Sequence, residues 1–212
     1  GTIFRYAAHE NSILNHIRVQ LSESNESDRL ELIAFIDQIT QHKERSKTIP
    51  GPRNMVDMLE LVKRYYYHLS MRGSNSIKAV LPSVLNSSRF LQQKYSQSIY
   101  GSQIPSLNIP ATAPIAWITF MDDGKTVENP YHLLPSVASY LELKEDQIDR
   151  EPDYDDMTIA HGGAALTAYS KLQFSDTNQS EALSKALLRY CELDTMAMVF
   201  IWEYFYNMIK NN

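Results

Sequence analysis

The segment from about Ser180 to Lys210 constrains the fold most, because its apolar residues recur with the period of one long helix. At about 100° per residue, five of its side chains fall within about 40° of one line. These five are Leu187, Cys191, Met198, Ile201 and Phe205. Asp194 falls inside the same stripe, where an apolar residue would be expected. We therefore predict a long C-terminal helix with a carboxylate on its buried face.

The first 70 residues alternate short apolar segments with amphipathic ones. Residues 3–7 and 55–58 are typical of short strands, and helices are predicted over 10–21, over 30–39 and after residue 58. Residues 48–54, "TIPGPRN", predict a loop, since two prolines around a glycine cannot continue a helix. The alternation of strand and helix favours a small parallel arrangement.

The rest of the chain predicts helices joined by irregular segments. Short helices are expected within 71–85 and 129–141, and another begins at Gly162-Gly163. The segment at about 86–128 is rich in Ser, Pro, Asn and Gly and is interpreted as an insertion, with one possible strand at 115–120. The acidic stretch at 143–156 predicts a solvated loop. We expect a single α/β domain over residues 1–212 that is mainly helical with few short strands.

Composition limits the classes of partner and compartment. The 212 residues carry a net charge of −5, so contact with nucleic acid has to be local rather than driven by the field of the whole molecule. A single cysteine excludes an internal disulfide framework and indicates a reduced compartment. With no apolar run of the roughly 18 residues that cross a bilayer and no signal-peptide pattern, the expected location is cytoplasmic, without a membrane.

Glu10 is a second carboxylate on a predicted apolar face, that of the first predicted helix. Glu10, Leu14, Ile17 and Leu21 share one helical face, which the pattern predicts to be buried. A buried carboxylate costs several kcal/mol unless it is paired, hydrogen-bonded or bound to a metal. A shared Mg²⁺ or Mn²⁺ site would account for both carboxylates, because hard cations take oxygen ligands. Alternatively, Glu10 complements the helix N-terminus, and Asp194 pairs with an arginine or accepts from Tyr190 or His9.

Four segments in order resemble the C-terminal part of a bacterial domain family of unknown function. They are "GSNSIKAVLP", "NPYHLLP", "HGGAALTAY" and "YCELDTMAMV". Members of that family look like ribonuclease-H-like 3′ to 5′ exonucleases of the DEDD type, and the resemblance runs over most of the chain. It implies a partial ribonuclease-H-like fold and metal-dependent hydrolysis of phosphodiesters at DNA or RNA ends.

The resemblance also implies site residues. The Tyr-x-x-x-Asp motif of the last helix corresponds to Tyr190 and Asp194, and the second motif falls on Tyr6 to Glu10. Glu10 and Asp194 would then be metal ligands, and Tyr190 would orient the attacking water. In the second motif, Glu10 stands where an aspartate is usual, His9 where an aromatic residue is usual and Tyr6 where an asparagine is usual.

The Asp-x-Glu motif of such nucleases has no counterpart on an apolar strand of this sequence. "FMDDGK" at 120–125 is the nearest acidic pair, and it comes at the wrong place in the order. We expect the first strands and the missing motif to precede Gly1 in the same polypeptide. The chain alone should then bind metal poorly and be inactive.

Two further interpretations remain open from the residues. The same fold, having lost its chemistry, could serve as a non-catalytic interaction module, or the chain could be a structural helical domain with a paired Asp194. Lys78, at the start of a short helix, is a candidate contact for nucleic-acid phosphate, although a solvated lysine fits the pattern too. Asp57 ends a predicted strand, where it could cap the next helix or belong to a site.

Overall fold

A computed structural model describes residues 1–140 and 158–210 of the chain. The predicted acidic loop at 143–156 lies outside the described residues. The chain is mainly helical with a few short strands, as expected. Among the described residues, none of the helices combines the length and the apolarity that a bilayer crossing requires.

The chain divides into two compact units, Gly1–Ala79 and Val80–Asn212. The prediction of one domain with an insertion at about 86–128 stays a prediction. The strands and α-helices that begin in the first unit are β1 (Phe4–Arg5), α1 (His9–Glu23), α2 (Arg29–Ile39), β2 (Gln41–Glu44), β3 (Lys47–Pro50), β4 (Val56–Asp57), α3 (Met58–Tyr65) and α4 (Ile77–Ser87), which continues into the second. A 3-10 turn at Leu69–Met71 lies between α3 and α4. In the second unit follow α5 (Arg89–Tyr95), α6 (Gly162–Lys171) and α7 (Thr177–Lys210).

The predicted parallel arrangement is present in the first unit. β1 pairs with β4 in parallel, with Phe4 opposite Val56 and Arg5 opposite Asp57. Between them the chain forms α1 and α2, and α3 follows β4 directly. The carboxyl ends of both strands therefore lie side by side, and each is followed by the start of a helix.

An antiparallel hairpin of β2 and β3 was not predicted. It pairs residues 41–44 with residues 47–50, so the loop prediction for 48–54 was wrong at its start. Most side chains of the hairpin are exposed, so no alternation of buried and exposed residues signals a strand here. The loop proper begins at Gly51, whose backbone N–H donates to the Thr40 carbonyl oxygen at 2.8 Å.

The buried stripe predicted for α1 is only half-buried. No residue of α1 is fully buried, and Ile17 is exposed. Polar contacts hold this helix instead: Asn11 exchanges two hydrogen bonds with the backbone of Gln41, and Arg18 Nε lies 2.5 Å from Asp37 Oδ1. Hydrophobic periodicity overlooked these contacts because asparagine and arginine count as surface residues in such a pattern.

The long helix α7 organises the second unit, and α5, α6 and the 3-10 turns at Pro130–Leu133, Val137–Tyr140 and Leu172–Phe174 all pack against it. Its fully buried residues are Ala182, Leu183, Ala186, Tyr190, Leu193, Met196, Ala197, Phe200 and Ile201. The buried face is thus rotated from the predicted one, and Cys191 is exposed. Alanines and a tyrosine, which contribute little to a hydrophobic pattern, make up much of the true interface.

Irregular backbone joins α5 to the turn at Pro130. The predicted strand at 115–120 forms only isolated bridges at its two ends, between Ile115 and Tyr100 and between Phe120 and Val127. The backbone N–H groups of Trp117 and Ile118 both donate to the Tyr95 carbonyl oxygen at 3.0 Å. This segment therefore contributes buried side chains to the second unit without forming a sheet. The helix expected within 129–141 is two 3-10 turns.

Candidate functional site

Asp194 lies half-buried on α7, near the hydroxyl groups of two tyrosines. The hydroxyl of Tyr131 donates to Asp194 Oδ1 at 2.5 Å. Tyr190 stands one helical turn earlier, and its hydroxyl is close enough for the Asp194 charge to act on it. The two phenol rings are tilted toward each other, with centroids 6.4 Å apart. That Asp194 accepts from Tyr190 stays a prediction, and the Tyr131 donor explains why the carboxylate is tolerated beside a buried face.

Tyr131 lies in a short 3-10 turn that its neighbours in the sequence stabilise. Asn129 Oδ1 accepts from the Tyr131 backbone N–H at 3.2 Å, and Pro130 occupies the first position of the 3-10 turn. Such a cap followed by proline is a common start for a helical turn. Sequence reasoning noted "NPYHLLP" only as a recognisable segment and missed Tyr131 as a partner of Asp194.

The charge of Asp194 changes the acidity of its neighbours. Burial, and then the Asp194 carboxylate, raises the pKa of the Tyr190 hydroxyl above its ordinary value. The same two causes raise the pKa of the Cys191 thiol. Both groups therefore stay protonated at neutral pH. Tyr190 can act there as a hydrogen-bond donor, and Cys191 is a poor nucleophile.

Glu10 lies in the first unit, at the carboxyl end of β1. Ala7, with φ of 69°, turns the chain from β1 into α1, and the Tyr6 backbone N–H donates to Glu10 Oε1 at 3.4 Å. Glu10 Oε2 is buried and has no hydrogen-bond partner among the described residues. An unpaired buried carboxylate oxygen is costly, so this atom is the one on which a cation or a donor would be favoured.

Asp57, at the carboxyl end of β4, has the structural role that was considered for it. Its Oδ1 accepts from the backbone N–H groups of Ala7, at 3.0 Å, and of Leu59, at 3.1 Å. Its Oδ2 lies 3.3 Å from Nη2 of the buried Arg5. Asp57 thus caps α3 and ties the two parallel strands together. The phenol of Tyr6 donates to the Asn75 carbonyl oxygen, and burial followed by the Asp57 charge raises its pKa.

The predicted metal ligands belong to different units, Glu10 to the first and Asp194 to the second. Within residues 1–140 and 158–210, no three His, Cys, Asp or Glu side chains form a group that could hold a metal ion. The shared site of Glu10 and Asp194 therefore stays a prediction. Lys78 is half-buried near the start of α4, and its role as a phosphate contact also stays a prediction.

A cavity of about 720 Å³ lies along α7 beside the segment 104–108. Glu192 borders it and accepts from the Tyr100 hydroxyl at 2.8 Å, from Asn108 Nδ2 at 3.2 Å and from the Ser106 hydroxyl. At the other end, Glu203 Oε1 lies 2.7 Å from Lys94 Nζ. Both carboxylates accept from the chain's own donors and fasten the irregular segment and α5 to α7, although Glu203 Oε2 is buried without a hydrogen-bond partner among the described residues. Sequence reasoning missed Glu192, because its partners lie in a stretch without periodicity.

In comparisons with known proteins, no family model, no curated protein and no solved structure matches the chain.

Proposed function

We propose that this chain forms part of a ribonuclease-H-like nuclease, which in the complete protein hydrolyses phosphodiesters at the ends of DNA or RNA with Mg²⁺ or Mn²⁺. The observation that carries the proposal is the pair on α7: Tyr190 stands one turn before Asp194, and burial and then the Asp194 charge raise the pKa of its hydroxyl. A Tyr-x-x-x-Asp motif in a nuclease of the DEDD type requires these two side chains on one helical face.

Glu10 is the proposed ligand from the first unit. It follows the first strand of a parallel pair, where α/β proteins commonly bind ligands. Its buried Oε2 atom lacks a partner among the described residues, which fits a carboxylate whose natural partner is a hard cation. Glu10 Oε1 is meanwhile held by the Tyr6 backbone N–H, so the side chain is already oriented.

Asp194 is the proposed ligand from the second unit. Tyr131 binds its Oδ1, and ligating carboxylates are commonly oriented by hydrogen bonds of this kind. When bound, Mg²⁺ or Mn²⁺ supplies charge stabilisation for in-line attack of water at phosphorus. Tyr190, whose raised pKa keeps it protonated, donates hydrogen bonds that orient water or a phosphate oxygen. Lys78 is proposed to contact the nucleic-acid backbone.

The described residues offer two carboxylates for this role and no group of three, so we expect weak metal binding by the chain alone. Electron paramagnetic resonance of Mn²⁺ measures this directly, because bound Mn²⁺ loses the sharp signal of the free ion. Glu10→Gln and Asp194→Asn should each lower the bound fraction. Glu31→Gln and Asp122→Asn, at exposed positions, are the matched controls and should leave it unchanged. Equal binding by all five proteins would contradict the assignment of these ligands.

A second candidate function, a non-catalytic interaction module, is favoured by two observations. Asp194 already accepts a hydrogen bond from the buried Tyr131, which fits a structural role. In addition, the first two helices expose several large apolar side chains: Ile13, Ile17, Val19, Leu30, Leu32 and Phe35. Fluorescence anisotropy of labelled single strands in EDTA, followed by Mn²⁺ addition, separates the two functions when the full-length protein that carries this chain is used. A nuclease shortens the strand once metal is added, whereas a binding module leaves it intact.

A further inference from the structure

A second cavity in the Val80–Asn212 unit holds two cationic side chains. It has a volume of about 380 Å³ and lies between α7, the segment 108–115 and the turn that ends at Tyr140. Lys185 and Arg189 line it from α7, one helical turn apart, so both project to the same side of the helix. Volumes of roughly 300–1,000 Å³ are typical of small-molecule sites.

Arg189 is half-buried and has no close counter-charge among the described residues. Within residues 1–140 and 158–210, no carboxylate lies within 4.0 Å of its guanidinium, and its buried Nη1 atom has no hydrogen-bond partner. Burial lowers its pKa, while Tyr140, Glu192 and Tyr100 partly oppose that effect from a distance. Glu192 is itself saturated by Tyr100, Ser106 and Asn108. A partly buried guanidinium with an unpaired N–H group favours a bound anion, which would satisfy that group and balance the charge.

The surroundings of Arg189 orient its guanidinium and select the rest of the ligand. The guanidinium carbon lies 4.5 Å from the centroid of the Trp117 ring, and this cation–π contact restricts where the N–H groups point. The remaining cavity walls are mostly apolar, from Ile109, Pro110, Ile115 and Leu188. A ligand that fills the cavity therefore needs an anionic group at Arg189 and an apolar body against these walls.

We propose that this cavity binds a small organic anion, a carboxylate or phosphate monoester on an apolar body, with Arg189 as the primary anchor and Lys185 as a second positive charge. The planar guanidinium matches both head groups in a bidentate manner, which a lysine cannot. The proposal is independent of the nuclease function, since none of the residues assigned to hydrolysis lines this cavity.

Trp117 is a built-in reporter for the test. The chain has two tryptophans, and the other, Trp202, is exposed and stacked on Tyr206, so Trp202→Phe leaves a single reporter in contact with Arg189. Its fluorescence is titrated with cyclohexanecarboxylate, cyclohexyl phosphate, cyclohexanemethanol and cyclohexylamine, which share an apolar body and do not absorb at the excitation wavelength. The two anions should give a saturable change, and the neutral alcohol and the cation should not.

Variants of the two cations assign the anchor. In the Trp202→Phe background, Arg189→Gln should weaken anion binding at least about tenfold. Arg189→Lys should bind with an affinity between those of Arg189→Gln and the parent protein, because it keeps the positive charge but loses the paired N–H donors of the guanidinium. Lys185→Gln should weaken binding severalfold and keeps the test valid if Arg189→Gln fails to fold. Lys210→Gln, near the end of the same helix, is the matched control. Anions that bind no better than the alcohol, or unchanged binding in Arg189→Gln and Lys185→Gln, would overturn the proposal.

Discussion

The hydroxyl of Tyr131 donates a 2.5 Å hydrogen bond to Oδ1 of Asp194, across 63 residues of sequence. Tyr131 is buried in the 3-10 turn at Pro130–Leu133, and Asp194 lies on the long helix against which that turn packs. The bond therefore joins the irregular part of the second unit to its central helix. It gives Asp194 a structural role alongside the catalytic one that we propose.

Removing the Tyr131 hydroxyl should destabilise the second unit. In Tyr131→Phe the half-buried Asp194 carboxylate loses the donor at its Oδ1 atom, and we expect a loss of about 1–2 kcal/mol in the free energy of unfolding. Urea denaturation followed by circular dichroism measures it. Tyr169→Phe, at an exposed position on α6, is the control and should change little. Equal midpoints for the two variants would show that the Tyr131 bond contributes nothing to stability.

The acidity of Cys191 should respond to Asp194. Burial, and then the Asp194 charge, raises the pKa of this thiol, so Asp194→Asn should lower it and increase the thiolate fraction at about pH 8. Because Cys191 is the single cysteine of the chain, alkylation by iodoacetamide reports on it alone. We expect a faster reaction in folded Asp194→Asn and the wild-type rate in Asp122→Asn. An unchanged rate in Asp194→Asn would mean that Asp194 does not influence the thiol.

Tyr190 should make stability depend on alkaline pH. Its folded-state pKa is raised above the unfolded value of about 10, so its contribution is complete below about pH 10 and is lost as the pH rises toward the folded value. The free energy of unfolding of the wild type should therefore fall more between about pH 9 and pH 11 than that of Tyr190→Phe. Urea titrations at both pH values measure the difference. The control Tyr169→Phe should lose as much stability over this pH range as the wild type. An equal loss in Tyr190→Phe would refute the prediction.

Gly51 should resist substitution because of the backbone that approaches it. A Cβ atom at this position would lie 2.2 Å from the Asp37 carbonyl oxygen and 2.4 Å from that of Gln38, both in the last turns of α2. Neither carbonyl can rotate away without breaking the helix, so Gly51→Ala should cost at least about 1–3 kcal/mol. Thermal denaturation tests this. The control is Gly162→Ala, because a Cβ atom at that position would meet nothing within 4 Å. Equal melting temperatures of Gly51→Ala and Gly162→Ala would contradict the expectation.

How far the sequence predicts this structure depends on which signal each element carries. Strong periodicity located α7, α2 and α1, and the strand and helix order of the first unit led to the parallel pairing of β1 with β4. The predicted direction of burial of α7 was wrong, because Tyr190 and three alanines are buried beside the larger apolar residues while Cys191 is exposed. Periodicity measures apolar content, and a small side chain that permits close packing adds little to it.

Of the residues at the candidate sites, some carry a local signal in the sequence and others do not. Asp194 was recognisable as a carboxylate out of place, and Tyr190 followed from the spacing of one helical turn. Tyr131 and Arg189 were missed, because their roles depend on contacts between segments far apart in the chain, Tyr131 with Asp194 and Arg189 with Trp117. Such pairs follow from tertiary packing and have no local pattern in the sequence.

The central claim, that Asp194 serves phosphodiester hydrolysis, is tested most directly by nucleotide release from an end-labelled single strand. The protein that carries this chain, in its full length, is incubated with the strand in Mg²⁺ or Mn²⁺, beside Asp194→Asn and the exposed control Asp122→Asn. We predict metal-dependent shortening of the strand by the wild type and by Asp122→Asn, and its loss in Asp194→Asn. Shortening at the same rate by Asp194→Asn, or none by the wild type with either metal, would contradict the account.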